Sequence, residues 1–261
     1  MKREFHIFLT ALMFFTRIPI PSFKNYDEKL LNQCTRYFSL IGILVGSISF
    51  LAFWISSLFF PVEIAIIFSF VAGILTTGAF HEDGFADVFD GFGGGWTKTK
   101  ILDIMKDSRL GTYGTVALLL MFALKFYALL KFVEFANTDW FLIFVGFICY
   151  HALARTAGIT LSFLIPYSRE DASSKSKPLA VSYTWREVFG AYFFGCLTLL
   201  FLVSFSLYFL AIIPVLMMLV MYAKYYFNKW IDGFTGDCLG AVEQFAEVFI
   251  LLTIVAVCRY I

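Results

Sequence analysis

The chain has 261 residues, of which 60% are hydrophobic and only 15% are charged. A typical soluble domain has about 45–50% apolar and about 25% charged residues, so the composition excludes an ordinary water-soluble fold. The formal net charge of +1 gives no global field of the kind that attracts nucleic acid. The five cysteines are scattered without a Cys-x-x-Cys spacing, so we expect neither a disulfide framework nor a zinc site.

Near the N-terminus, the apolar run from Phe5 to Phe15 is too short to span a bilayer. It also lacks the small-residue cleavage site of a signal peptide. We expect residues 1–24 to form an interfacial or partly inserted helix, which Pro19 and Pro21 end. No soluble domain is visible, so the sequence indicates one membrane domain over residues 1–261.

The remaining apolar runs predict an all-α fold, a polytopic bundle of membrane-spanning helices. A spanning helix needs about 20 mostly apolar residues. Seven runs meet this requirement, at residues 38–60, 62–80, 113–132, 140–165, 187–208, 210–227 and 241–258. Six spans remain an alternative, because Lys125, His151 and Arg155 weaken the third and fourth runs. Pro214 and the length of the apolar stretch 188–227 favour two helices there.

The distribution of Lys and Arg predicts the orientation of this bundle. With seven spans, nearly all loop cations fall on one side, and the opposite side keeps only Lys131 and Arg259. Such a bias marks the cytoplasmic face of a multi-pass protein of the cell inner membrane. The long polar stretches all fall on this face, at residues 25–36, 81–112 and 167–186.

An acidic, glycine-rich segment, AFHEDGFADVFDGFGGG, follows the second span at residues 79–95. If the helix of that span continues, Asp83, Asp87 and Asp90 at i, i+4 and i+7 share one face. Like charges so placed repel each other unless a cation lies among them, and the segment contains no Lys or Arg. Mg²⁺ prefers carboxylate oxygens, so the spacing predicts a magnesium site, with Glu82 as a neighbouring candidate. The alternative is a solvated acidic surface.

The next polar segment, ILDIMKDSRLGTYG, covers residues 101–114. Lys106 and Arg109 are three residues apart, so both side chains could face a phosphate, with Asp107 between them. The alternative for these cations is ordinary anchoring at the cytoplasmic face.

A second acidic, glycine-rich segment, WIDGFTGDCLGAVEQ, covers residues 230–244. Its candidate binding residues are Asp232, Thr235, Gly236, Asp237 and Glu243. The glycine content argues against a lipid-facing helix, so we expect the segment to line a cavity or the cytoplasmic rim. Two acidic loops on one face suggest a pyrophosphate held between metal ions. A simple turn with a helix N-cap is the alternative.

Arg155 lies inside an apolar run, with His151 four residues before it. An ionisable residue within a span is a candidate functional residue. The alternative is a structural ion pair with Glu63, Glu243 or Glu247.

Several blocks of the sequence resemble one known family in order along nearly the whole chain. They read FLTALMFFTRIPIP, FSLIGILVG, GAFHEDGFADVFDGFGGG, IMKDSRLGTYG and GFTGDCLGAVEQ. These blocks are similar to those of the cobalamin synthases, also called adenosylcobinamide-GDP ribazoletransferases. The acidic positions show no departure from the family pattern, whereas the stretch 168–182 has no counterpart that we can assign.

The resemblance implies a Mg²⁺-dependent membrane transferase of cobalamin biosynthesis. Its substrates would be adenosylcobinamide-GDP and α-ribazole or α-ribazole 5′-phosphate, and its products adenosylcobalamin or its phosphate and GMP. Cleaving a pyrophosphate requires stabilised charge on the transferred phosphoryl group, which metal ions, Lys and Arg supply. The implied metal ligands are Asp83, Asp87, Asp90, Glu82 and Asp237, with Asp232 weaker. The implied phosphate contacts are Lys106, Arg109 and Arg155, and the general base remains open among Asp90, Asp87 and His81.

Two other classes of protein remain as alternatives. A CDP-alcohol phosphotransferase or a UbiA-like prenyltransferase also has spaced aspartates at a membrane face. The chain lacks the Asp-Gly-x-x-Ala-Arg run of the former and the Asn-x-x-x-Asp box of the latter. A cation or corrinoid transporter would place its carboxylates near the bilayer midplane, whereas these lie at the ends of spans. The sequence leaves open whether the chain forms a homo-oligomer.

Overall fold

The computed structural model describes residues 2–20, 28–168 and 183–260. The predicted helix stop at Pro21 and most of the polar stretch 167–186 lie outside these ranges. The helices are α1 (Lys2–Phe15), α2 (Glu28–Cys34), α3 (Phe38–Ser57), α4 (Val62–Thr77), α5 (Phe80–Gly94), α6 (Lys98–Ile104), α7 (Thr112–Ala136), α8 (Trp140–Leu164), α9 (Trp185–Val203), α10 (Ile212–Ile231) and α11 (Gly236–Cys258). Outside the helices, the described residues form an isolated β-bridge between Tyr167 and Phe234.

Within the parts of the chain that the structure describes, six helices are long and apolar enough to cross a membrane: α7 to α11, and α3 together with the residues before it from Leu30. The pair α4 and α5 passes the same test together, although the two helices meet at 90°, so the total is seven if that pair is one span. The predicted all-α, polytopic membrane bundle is therefore confirmed, and both of the predicted span counts fit the helix lengths.

The helix of the second span does not continue through the acidic segment, although Asp83, Asp87 and Asp90 do lie on one helix. α4 ends at Thr77, and both Gly78 and Ala79 adopt left-handed backbone conformations, with φ of 71° and 59°. The Gly78 N–H donates to the Ile74 carbonyl at 2.7 Å, which closes the last turn of α4. A left-handed residue after the last turn is a common way to end a helix. The acidic residues therefore lie on a separate helix, α5, whose direction α4 does not set.

The second glycine-rich segment also differs from the sequence prediction, which began the last span at residue 241. α10 continues to Ile231 and α11 already begins at Gly236. The start of α11 is packed between helices, because a Cβ atom on Gly240 would lie 3.1 Å from the His81 carbonyl oxygen of α5. Small residues allow such close approach of helices in membranes. Glycine here marks a helix contact, and the connecting loop is short.

α8 is the central helix of the bundle, because 94% of its most apolar 18-residue stretch is buried inside the protein. α3 crosses α8 closely at Gly42 and Gly46, which have the four-residue spacing of a small-residue helix contact. A Cβ atom on Gly42 would lie 2.6 Å from the His151 carbonyl oxygen, and one on Gly46 would lie 2.7 Å from that of Phe147. The backbones of α3 and α8 therefore touch without intervening side chains.

α1 ends at Phe15, before Pro19, as the sequence predicted. It packs on α3 through a separate apolar cluster that includes Ile7, Ala11 and Phe15. Its Glu4 accepts hydrogen bonds from Arg36 at 3.0 and 3.1 Å. The position of α1 at the membrane interface stays a prediction.

We expect Gly42→Ala to destabilise the protein by about 1–3 kcal/mol, because the new methyl group meets the α8 backbone, which cannot move aside. Thermal unfolding in detergent measures this loss. Gly73→Ala is the matched control, because the nearest atom to its Cβ would be the rotatable Ser49 hydroxyl oxygen, at 3.0 Å. Equal unfolding temperatures for the two variants would contradict the proposed helix contact.

Candidate active site at one end of the bundle

The two acidic segments meet where α5 packs against the start of α11. A Cβ atom on Gly84 would lie 2.9 Å from the Cα atom of Asp237, so the two backbones are in contact. Asp83, directly before Gly84, is exposed, whereas Asp87 and Asp237 are half-buried. The Thr235 hydroxyl donates to Asp237 Oδ2 at 3.2 Å. The structure therefore brings together the two segments that the sequence places about 150 residues apart.

Asp90 is committed to a structural contact. Its carboxylate oxygens accept hydrogen bonds from the backbone N–H groups of Gly111 at 2.7 Å and Gly114 at 2.9 Å. These groups belong to the start of α7, where the helix dipole also favours a negative charge. The contact needs glycine, since a Cβ atom at Gly111 would lie 2.4 Å from Asp90 Oδ1. Asp90 thus ties the second half of α5 to α7.

The acidic side chains at this end of the bundle are the candidate ligands of a metal ion. In the described parts of the chain, no group of three or more His, Cys, Asp or Glu side chains is arranged to enclose a metal ion. Mg²⁺, however, is usually held by one or two carboxylates, with waters and substrate phosphates completing its octahedron. Asp83 and Asp87, one turn apart on α5, fit a site of that kind. Glu82 does not share it, because its side chain lines a cavity in the bundle interior.

The loop between α10 and α11 separates its candidate residues. Asp232 is the left-handed C-cap of α10 and its exposed carboxylate accepts a hydrogen bond from Lys98 Nζ at 3.1 Å. Thr235 is the N-cap of α11 and is fully buried, and Gly236 begins that helix. The simple alternative of a turn with an N-cap is therefore correct for Thr235. Of the acids in this segment, Asp237 lies beside Gly84 of α5, and Glu243 contacts His81 of the same helix further inside the bundle.

The segment after α6 adds cations to the same end of the bundle. Lys106 and Arg109 are both exposed. Arg109 Nε lies 3.0 Å from both carboxylate oxygens of Asp107. Hydrogen bonds from the Arg109 side chain and backbone lower the pKa of Asp107 to about 2. Asp107 thus stays ionised at neutral pH and holds the Arg109 guanidinium in place.

Three residues that the sequence assigned to the site lie in the interior. Arg155, Glu243 and His81 are 1%, 0% and 3% exposed. Arg155 Nη2 is 3.2 Å from Glu243 Oε1, and His81 Nε2 is 3.0 Å from Glu243 Oε2. The alternative of a structural ion pair with Glu243 is confirmed. The burial of Arg155 argues against a direct contact between its guanidinium and a substrate phosphate. The burial of His81 likewise argues against a role as a general base that contacts the substrate.

The sequence reasoning missed a second buried charge cluster beside the first. Lys125 Nζ is 2.5 Å from both Glu247 Oε2 and Gln244 Oε1, and His151 Nδ1 is 2.8 Å from Glu247 Oε1. These residues line a cavity of about 20 Å³, which has room for about one water molecule. The sequence does contain a sign of this cluster, because Lys125 and Glu247 both occur within apolar runs. Charged residues within membrane spans almost always face the interior of a bundle.

We expect Asp90→Ala to destabilise the protein by about 1–3 kcal/mol, because two N–H groups of the α7 start lose a charged acceptor. Thermal unfolding in detergent measures the change. The control is Asp103→Ala on α6, whose side chain is exposed. An unfolding temperature for Asp90→Ala equal to that of the control would contradict the structural role.

Comparison with known proteins agrees with the resemblance of the sequence blocks. Residues 7–255 match the family model described as Cobalamin-5-phosphate synthase. The chain is 43% identical over 255 residues to the adenosylcobinamide-GDP ribazoletransferase of Shewanella frigidimarina, covering 98% of this chain and 96% of that protein. It is 40% identical over 261 residues to the enzyme of the same name from Leptospira interrogans, covering 97% and 96%. No solved structure matches the chain. The chain therefore belongs to the cobalamin-5-phosphate synthase family.

Proposed function

We propose that this chain is a Mg²⁺-dependent adenosylcobinamide-GDP ribazoletransferase. It transfers the adenosylcobinamide phosphate group to α-ribazole or α-ribazole 5′-phosphate in the last steps of cobalamin biosynthesis. The names of the relatives support the reaction. The observation that carries the site assignment is the contact of the two acidic segments at Gly84 and Asp237, on the end of the bundle that presents Lys106 and Arg109.

The proposed chemistry is a displacement at phosphorus. A ribose hydroxyl oxygen that is free in both α-ribazole and α-ribazole 5′-phosphate forms a bond to the phosphorus that carries the cobinamide, the bridging P–O bond of the diphosphate breaks, and GMP leaves. The attacking hydroxyl loses its proton. Catalysis of such a step depends on positioning and on stabilisation of negative charge at the phosphoryl oxygens.

The residues of the chain divide these tasks according to their positions. Asp83 and Asp87 would hold Mg²⁺, with Asp237 at the neighbouring helix start. When bound, the ion would neutralise phosphate oxygens and the leaving nucleotide. Lys106 and Arg109 would contact the remaining phosphate oxygens. The general base stays open, since Asp90 holds α7, His81 is buried against Glu243, and Asp87 is proposed as a metal ligand.

We also propose that the site faces the cytoplasm from the inner membrane. If the α4 and α5 pair counts as one crossing, the segments 95–111 and 232–235 lie on the same side of the bilayer. Lys98, Lys106 and Arg109 belong to that side, whereas Lys131 at the end of α7 belongs to the opposite side. This distribution follows the positive-inside rule.

We expect Asp83→Asn and Asp87→Asn each to lower kcat by about 100-fold or more, because the amide cannot replace a carboxylate toward a metal ion. Detergent-purified protein would be assayed for GMP and for cobalamin from adenosylcobinamide-GDP and α-ribazole. Asp103→Asn removes an exposed carboxylate at the same end of the bundle and should keep wild-type activity. Full activity of Asp83→Asn would remove that residue from the proposed site.

Removal of the metal ion tests the proposed Mg²⁺ dependence without any substitution in the protein. EDTA should abolish GMP release, and added Mg²⁺ should restore it, because the charge on the diphosphate then regains its counter-ion. Mn²⁺ should replace Mg²⁺, since it also accepts octahedral oxygen ligands. Unchanged turnover after thorough chelation would overturn the metal dependence, while an absence of cobalamin in the presence of Mg²⁺ would overturn the reaction itself.

A further inference from the structure

Three helices are joined in the interior by the Arg155–Glu243–His81 chain, which we define by its two contacts of 3.2 and 3.0 Å. Arg155 belongs to α8, Glu243 to α11 and His81 to α5. All three are nearly inaccessible to solvent. Burying such charges is costly, so their presence within a membrane bundle requires an explanation.

The direction of α5 depends on contacts other than its connection to α4. The left-handed residues Gly78 and Ala79 interrupt the helix, and α5 leaves at 90°. Gly84 and Gly240 let α5 lie against α11, and the rings of Phe85 and Phe89 pack on Phe245 of α11. Specific polar side-chain contacts add a further constraint on the rotation of α5 about its own axis.

Two such contacts bracket the proposed metal ligands on α5. His81 contacts Glu243 two residues before Asp83. Asp90 accepts from the start of α7 three residues after Asp87. Asp83 and Asp87 therefore lie between two anchored points of the same short helix, and a rotation of α5 at either point would change the direction of both carboxylates.

The anchor at His81 depends on Arg155. Neither carboxylate oxygen of Glu243 has a hydrogen-bond partner among the described residues, and the cation that faces this carboxylate is the Arg155 guanidinium, at 3.2 Å. Lys125, another buried cation, is paired with Glu247. Without Arg155, Glu243 would be left buried with no cation of its own, which is strongly unfavourable.

We propose that Arg155 is a positioning residue, which acts through Glu243 and His81 to hold α5 at the orientation that aims Asp83 and Asp87 at the substrate phosphates. This inference rests on the proposed function of those carboxylates. Arg155 itself does not touch substrate.

The test compares Arg155→Met, Glu243→Gln and the double variant in detergent-purified protein. Arg155→Met should lower kcat by about 100-fold, because small displacements of a catalytic group have effects of that size. Mn²⁺ binding, measured by electron paramagnetic resonance without substrate, should weaken by about tenfold, as expected when a supporting residue is lost. The KM for adenosylcobinamide-GDP should stay within about twofold of wild type.

The double variant separates positioning from phosphate contact. Arg155→Met/Glu243→Gln leaves no buried charge without a partner, so it should recover at least about tenfold of the kcat and of the Mn²⁺ affinity lost in Arg155→Met. A large rise in KM, with unchanged Mn²⁺ affinity and no recovery in the double variant, would instead show a phosphate contact and overturn the proposal.

Controls keep these outcomes distinct. Lys131→Met removes an exposed ion pair with Glu134, of 2.7 Å, at the far end of α7 and should change neither readout. If Arg155→Met does not fold, as judged by thermal unfolding, Arg155→Lys keeps the charge and should show a smaller loss in the same two measurements. An inactive wild-type protein would reject the proposed function, whereas an active wild type with unaffected Arg155 variants would reject only this inference.

Discussion

The close contact of α5 with α11 is the constraint on which the candidate site depends. It requires glycine on both helices, because a Cβ atom on Gly84 or Gly240 would meet the backbone of the other helix. This contact brings Asp237 beside the acidic face of α5. It also brings Glu243, two turns further along α11, within reach of His81. One packing arrangement thus organises both the polar end of the bundle and the charges within it.

The buried charges bear on the question of whether the protein is a transferase or a transporter. The sequence argument against transport was that the aspartates lie at the ends of spans, yet Glu243 and Glu247 lie inside the bundle. Each of these carboxylates is already paired with a cation, Arg155 or Lys125. The cavity beside them is about 20 Å³, which suits a water molecule and is far too small for a corrinoid. The interior therefore has the character of a structural network.

Much of the architecture could be predicted because hydropathy reports burial in lipid directly. The runs that became α7 and α8 have nearly the predicted bounds, and the stop of α1 before Pro19 follows from local chemistry. The break between α4 and α5 could not be predicted, since Gly78 and Ala79 also fit a continuous helix by composition. The roles of Asp90 and Arg155 depend on which helix is their neighbour. Their partners are 21 and 88 residues away in the chain, so no local pattern reveals them.

The dependence of a residue's role on its neighbouring helix also explains why three aspartates at helical spacing have different roles. Asp83 is exposed, Asp87 is half-buried, and Asp90 meets the start of α7. A helix start offers unpaired N–H groups and a partial positive charge, so it stabilises the Asp90 carboxylate and offsets part of the repulsion among the three anions of α5. Asp83 and Asp87 are the other two carboxylates of this set, and Mg²⁺ commonly takes one or two carboxylates from a protein when a phosphate supplies other ligands.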